Sequence, residues 1–248
     1  GADLLSLFVD AWPDTVTIAA QSNTQEIREW AKFYGTVYGR YKLEDNGKPI
    51  YQSNTCKVYY AEDVLQNEGT DRRVCIKLLR HDKFFKSEKD ARTDEIGNEL
   101  NFDIEHVVNV LAEYSPEMEL DDTVSEESKK QTKVKVNSKI RRINTFTSEK
   151  EWAIIMPAGD KSLDRVIADE NIAGKNQKKI VNIAKSLAES LKHIHSDGKN
   201  LIHCDVKPRN IVRFGKHWKL IDLDAAKKVG SRITNSNKFS SGYIPPEM

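Results

Sequence analysis

His203-Cys204-Asp205-Val206-Lys207-Pro208-Arg209-Asn210, followed twelve residues after Asn210 by Asp222 in Lys219-Leu220-Ile221-Asp222-Leu223-Asp224, is the stretch that decides how this chain is read. Asp205 is a carboxylate, Lys207 is a flexible cation two residues on, and Asn210 and Asp222 are hard oxygen donors of the kind that hold a divalent cation. The plain alternative is a polar turn between two strands. Such a turn requires neither this order of residue types nor this spacing.

Outward from that loop, residues 178–195 set Ile180, Ile183, Leu187, Leu191 and Ile194 on one helical face, and residues 152–156 form an apolar strand. Between 115 and 150 the periodicity disappears. An acidic tract, 117–127, precedes a basic one, 129–142, which reads as a long surface insertion whose halves neutralise each other; a nuclear-localisation or phosphate-binding patch is the other reading of the basic half. Farther upstream, 57–60 and 73–79 are rich in β-branched and aromatic residues and read as a β-hairpin region, with a helix expected over 89–102 and a strand over 107–111. Residues 1–40 read as two short helices joined near Pro13, with Trp12 and Trp30 as packing residues. His193 and His195, two apart on a helix, face different sides and read as structural. Strands come first and helices follow, an α+β arrangement with a cleft where the halves meet.

Bulk properties narrow the class further. The 248 residues are 31% charged and 38% hydrophobic, and the net charge of +1 supplies no overall field for nucleic acid or an anionic membrane. Neither a membrane association nor direct nucleic-acid binding is expected. Cys56, Cys75 and Cys204 are scattered and odd in number, which argues against a disulfide framework and for a reducing compartment. No run reaches the roughly 20 apolar residues of a bilayer span. Gly1 in place of Met, and Met248 directly after a motif, suggest an excised segment.

The loop at 203–210, with Asp222 beyond it, resembles the protein-kinase catalytic loop H-x-D-x-K-x-x-N and the metal-binding Asp of D-F-G. The resemblance implies that Asp205 orients the substrate hydroxyl and accepts its proton, that Lys207 neutralises the transferring phosphoryl group, and that Asn210 and Asp222 hold Mg²⁺. Asp224 stands where D-F-G has Gly, and its second carboxylate either meets the metal, an outer-sphere contact being the favoured form, or adds repulsion that the metal relieves. Val74-Cys75-Ile76-Lys77 resembles V-A-I-K, which makes Lys77 the ATP anchor, paired with Glu95, which leaves room for a full helix before the strand at Val107; Glu99, one helical turn later, is the rival. Ile154-Ile155-Met156-Pro157-Ala158-Gly159 resembles the fifth strand and the hinge. Met156 then guards the back pocket, and the Pro157 carbonyl and Gly159 N–H meet adenine. Tyr51-Gln52-Ser53-Asn54-Thr55-Cys56-Lys57-Val58 falls where G-x-G-x-x-G-x-V lies, keeping Val58 and none of the glycines, so the hydroxyls of Ser53 and Thr55 stand in for backbone N–H groups on the phosphates. Residues 240–247 resemble the P+1 loop running into A-P-E, with Ser240 where Thr is frequent.

The implied fold is a two-lobed, protein kinase-like α+β fold with a small β-rich N-lobe and an incomplete helical C-lobe. It divides the chain into an N-terminal helical extension (1–40), an N-lobe (41–157) carrying the charged insertion (115–150), and the first part of a C-lobe through the activation segment (158–248). The implied activity is ATP- and Mg²⁺-dependent phosphorylation of Ser/Thr hydroxyls in a protein substrate. A pseudokinase scaffold is the alternative suggested by the glycine-free loop and by Asp224, and a small-molecule kinase is a third, against which Lys207 and the 243–247 segment count. Cys204 replaces an Arg that in many kinases meets an activation-segment phosphate, so basal activity is expected. The runs 53–56, 222–226 and 241–248 also resemble a divergent group of fungal and oomycete kinases that includes crinkler-type effectors. That likeness implies secretion by a microbe and action inside a host cell; otherwise the cytoplasm or nucleus is expected. The oligomeric state stays open.

Overall fold

Period-two patterning builds the first lobe. In the computed structural model, which describes residues 36–66, 71–94, 96–115, 152–231, 240 and 242–243, seven strands form one antiparallel sheet. They are β1 (Thr36–Val37), β2 (Tyr41–Leu43), β3 (Tyr51–Gln52), β4 (Cys56–Asp63), β5 (Arg73–Leu79), β6 (Ala112–Tyr114) and β7 (Trp152–Pro157). The order is β1-β2-β4-β5-β7-β6, and β3 pairs with the start of β4. Along β5, Val74, Ile76 and Leu78 pack with Tyr41, Tyr59, Ala61, Ala153 and Ile155 on one face. Successive side chains point to opposite faces, so Lys77 shares the other face with Cys75 and Leu79, which pack beside Cys56, Ile154 and Met156. Register sets Lys77 between Val58 and Ile154, and Cys75 opposite Met156.

The helix expected over 89–102 lies earlier. It is α1 (Asp82–Asp90), starting two residues after β5 and burying Phe85 and Glu88 against the sheet. Beyond it the chain turns, because the Asp94 carboxylate accepts from the N–H groups of Ile96 and Asn98, and Gly97 adopts a left-handed φ of +90°. The strand expected over 107–111 is likewise displaced to β6. Val107 makes one parallel bridge to Leu220, and the Val108 N–H donates to the Leu220 carbonyl, tying this segment to the second lobe.

The second lobe holds α2 (Leu163–Glu170), α3 (Gln177–His195) and the short strands β8 (Lys161–Ser162), β9 (Leu201–Ile202), β10 (Ile211–Phe214), β11 (His217–Leu220) and β12 (Lys227–Lys228). The Asn176 side chain caps α3 by accepting from the Lys179 N–H at 3.0 Å. Ile183 and Ile194 are buried, and Leu187 and Leu191 pack against the same core with Leu201, Ile211, Leu220 and Leu223. Burial of a side chain such as Ile194 contributes about 1.5–3 kcal/mol. Ile180, expected on this face, is 38% exposed, so the apolar stripe starts one turn later. Among the described residues no helix is long and apolar enough to cross a membrane. Residues 1–35 with Trp12 and Trp30, the charged tracts within 116–151, Glu95 and most of 240–247 lie outside the described residues.

The lobes join at residues 158–160. The Ala158 N–H donates to the Arg73 carbonyl at 3.2 Å, and the Asp160 N–H donates to the Arg213 carbonyl at 2.7 Å. The result is a two-lobed α+β fold with a cleft beneath the sheet face that carries Lys77.

Candidate active site

Residues 203–210 are held by backbone turns. Pro208–Asn210 forms a single 3-10 turn with Pro at its first position, where the missing N–H costs nothing. The Asn210 side chain points back, donating from Nδ2 to the Asp205 carbonyl and to Asp205 Oδ2, both at 2.9 Å. Asp205 is buried, and Lys207 Nζ donates to its Oδ2 at 2.7 Å. Ser240, 35 residues away in sequence, donates from Oγ to Asp205 Oδ1 at 2.6 Å and accepts from Lys207 Nζ at 2.5 Å. Local sequence gives no signal for that contact beyond the likeness to a P+1 loop.

His203 braces the loop against the neighbouring segment. Burial lowers its pKa, so the ring is neutral; Nδ1 accepts from the Asp205 N–H at 3.3 Å, which leaves Nε2–H to donate to the Ile221 carbonyl at 3.1 Å. Cys204 and Asp222 both take left-handed backbone conformations, with φ of 59° and 67°. Non-glycine residues there cost energy that the surrounding hydrogen bonds must offset, a pattern concentrated at functional sites.

Lys77 meets three carboxylates: Glu88 Oε2 at 3.3 Å, Asp222 Oδ1 at 2.5 Å and Asp224 Oδ2 at 3.6 Å. Burial alone would lower its pKa, but Asp222, Glu88 and Asp224 hold it well above the ordinary lysine value. Glu88 is pushed up by burial, yet Lys77 and Arg92 outweigh that and keep it below the usual carboxylate range. Arg92 also donates to the Val108 carbonyl at 3.0 Å, anchoring α1 to the chain behind it. Glu88 is therefore the residue that the structure sets against Lys77. Glu99 is exposed and bridges to Thr93, because the chain has already left the helix there. The signal for Glu88 was its place three residues after Phe85 on a helix that begins directly after β5.

The remaining expected residues lie in the β3–β4 turn, on β4 and at or just after the end of β7. Met156 is buried opposite Cys75, whose thiol burial pushes up to about 12, so Cys75 packs as a small apolar residue. Pro157 ends β7, and the carbonyl of Gly159 accepts from the Tyr60 hydroxyl at 3.2 Å. A Cβ on Gly159 would lie 2.2 Å from Val212 Cγ1 and 3.1 Å from the Arg213 carbonyl oxygen, so only glycine fits that approach. Val58 sits opposite Lys77, and Ser53 and Thr55 lie in the β3–β4 turn with their hydroxyls 3.0 Å apart. Arg209, absent from the expected set, reaches across the mouth from the catalytic loop: its guanidinium lies 5.2 Å from the Tyr51 ring centre and 3.4 Å from Asp164 Oδ2.

For a divalent cation the candidate donors would be the Asn210 amide oxygen, Asp222 and Asp224. Asn210 directs its Nδ2 at Asp205, which turns its oxygen away from that carboxylate. The Asp224 side chain is buried against Lys77, only 1% exposed. Among the described residues no three or more His, Cys, Asp or Glu side chains form a metal-holding group. One or two carboxylates with an amide oxygen suit Mg²⁺ shared with phosphate oxygens rather than an all-protein cage.

A family model described as the protein kinase domain matches residues 110–248, more than half of the chain. The chain belongs to the protein kinase family. The match begins after β5 and α1 and so does not include Lys77 or the β3–β4 turn. Serine/threonine-protein kinase mph1 of Schizosaccharomyces pombe is 29% identical over 104 residues, 38% of this chain and 14% of that protein. Serine/threonine-protein kinase nekl-2 of Caenorhabditis elegans is 27% identical over 143 residues, 51% of this chain and 40% of the relative. A G-type lectin S-receptor-like serine/threonine-protein kinase of Arabidopsis thaliana is 36% identical over 70 residues, 26% of this chain and 8% of that protein. The chain thus spans well under half the length of each of these relatives.

Proposed function

We propose that this chain transfers the γ-phosphate of ATP, with Mg²⁺, to Ser or Thr hydroxyls of protein substrates. The observation that carries this reading is the hydrogen bonding of Asp205. An ionised carboxylate offers about four lone-pair sites. Lys207 and Asn210 take two on Oδ2 and Ser240 takes one on Oδ1, which leaves room on Oδ1 for one further hydroxyl. Ser240 also demonstrates that a hydroxyl reaches this carboxylate at a distance suited to proton transfer.

In this reading Asp205 orients the attacking hydroxyl and takes its proton, and Lys207, already within reach of Asp205, sets a positive charge beside the transferring group. Lys77, released from Asp222 as phosphate enters, holds the nucleotide while Glu88, itself held by Arg92, keeps the Lys77 ammonium in place. Asn210, Asp222 and Asp224 would hold Mg²⁺, which when bound would neutralise phosphate charge. Val58, Met156, Pro157 and Gly159 would frame adenine. The proposed division of the chain remains an N-lobe over 41–157 and the first part of a C-lobe over 158–248. Intracellular action, in cytoplasm or nucleus, is the proposed setting, and three free thiols suit it. The likeness to crinkler-type kinases would add delivery into a host cell.

The scaffold reading is favoured by one observation: the hydroxyl of Ser53 already occupies backbone N–H groups in the turn where phosphate would lie. Mg²⁺-dependent transfer of labelled phosphate from ATP to casein or myelin basic protein, with Asp205→Ala alongside, separates the two. Transfer that the substitution abolishes supports the enzyme. Folded protein with neither transfer nor Mg²⁺-dependent ATP binding leaves the scaffold.

A further inference from the structure

The β3–β4 turn carries two backbone N–H groups that converge on one point, and that point is filled by the chain itself. Ser53 Oγ accepts from the Thr55 N–H and from the Cys56 N–H, each at 3.2 Å. It also lies 3.0 Å from Thr55 Oγ1 and 3.4 Å from the Cys56 carbonyl oxygen, so its own proton has an acceptor. Converging amide N–H groups form a concavity that suits an anion. Here a neutral oxygen occupies it.

We propose that Ser53 is a built-in occupant of the phosphate seat, competing with nucleotide phosphate for the Thr55 and Cys56 N–H groups and making affinity depend little on phosphate number. This rests on the reading of the cleft as an ATP site. The backbone of the turn does not depend on the serine hydroxyl: the Ser53 N–H donates to the Cys56 carbonyl at 2.9 Å, and the Arg80 N–H donates to the Thr55 carbonyl at 3.0 Å, pinning the tip to the end of β5. Removing Oγ therefore leaves two aimed donors in a fixed turn. A phosphate oxygen, being charged, would satisfy them better than a hydroxyl does. In the native chain phosphate must first break both bonds, and the Ser53 side chain must rotate away from a half-buried position.

The test is calorimetric titration of the whole chain with adenosine, Mg²⁺-ADP and Mg²⁺-ATP, using the native protein, Ser53→Ala and Ser53→Thr. Ser53→Ala is expected to tighten ATP and ADP about ten-fold, the scale of one freed hydrogen bond to a charged acceptor, with adenosine unchanged. Ser53→Thr, which restores the oxygen, returns the native ratio of ATP to adenosine affinity. A purely structural role for Ser53 would move all three ligands together. ATP binding that is equal or weaker in Ser53→Ala overturns the inference while leaving the ATP site intact. Failure of every variant to bind any of the three ligands overturns both.

Discussion

Replacing Lys77 by Met tests the electrostatic centre of the cleft most directly. The methionine fills a similar volume but leaves Glu88, Asp222 and Asp224 without their shared cation, with side chains only 2%, 17% and 1% exposed. Breaking a buried ion pair by removing one partner costs about 3–5 kcal/mol. Arg92 stays 3.0 Å from Glu88 and partly compensates, so the low end of that range is expected. For a domain of this size about 3 kcal/mol corresponds to roughly 6–12 °C in Tm.

The pH dependence distinguishes this cause from lost packing. In the native protein the Glu88 pKa is depressed, so its contribution is present above the unfolded value and is lost only as pH falls through the folded one. Between about pH 7 and about pH 5 that contribution is flat. Burial is already the largest influence on Glu88, and without Lys77 only Arg92 opposes it, so the Glu88 pKa is expected to rise above its unfolded value. Folded protein then takes up a proton that the unfolded chain does not, and the variant gains stability as pH falls. Scanning calorimetry in magnesium-free buffer should therefore show the Tm gap between native and Lys77→Met narrowing from about pH 7 to about pH 5. A gap that is absent, or equal at both pH values, refutes the reasoning.

His203, whose pKa burial lowers below the unfolded value, costs stability as pH falls from about 6.5 towards the folded pKa, because the unfolded chain binds the proton first; His203→Gln should flatten the acid limb of a Tm-against-pH curve. Gly159→Ala drives a methyl into Val212 and should destabilise by about 1–3 kcal/mol, read as a lower urea midpoint with an unchanged slope. Ser240→Ala removes the hydroxyl that bonds both Lys207 and Asp205 beside their direct contact and should lower kcat/KM by roughly ten-fold, with little change in Tm, in a peptide-phosphorylation assay.

How much of this was legible in the sequence depends on whether a residue's partner is local. Asp205, Lys207 and Asn210 lie within six residues, and their mutual hydrogen bonds follow from one turn that Pro208 helps to fix. Lys77 was legible because strand period assigns its face once β5 is recognised. Its partner was not, because naming a glutamate requires the start and phase of α1, and the acidic and basic run over 86–95 looks helical throughout by composition. The turn formers Asp94, Gly97 and Asn98 end the matter, but only when weighed above that composition. Ser240 lay beyond reach for a different reason: closing a loop of more than thirty residues onto Lys207 leaves no periodic trace.

The cluster around Lys77 links the two departures from the family pattern. Lys77 and Arg92 face Glu88, Asp222 and Asp224, two positive charges against three negative ones. With glycine in place of Asp224 the same group would balance. The added carboxylate leaves this cluster with one net negative charge, which opposes a polyphosphate by itself but favours it together with a divalent cation. The turn above it, with Ser53 filling its converging N–H groups, also gives phosphate less than a glycine loop would. In the proposed ATP-dependent reading, both changes would shift phosphate recognition from backbone amides to metal. On this argument the chain's response to Mg²⁺, more than its affinity for free nucleotide, reflects what Asp224 and Ser53 do in the same cleft.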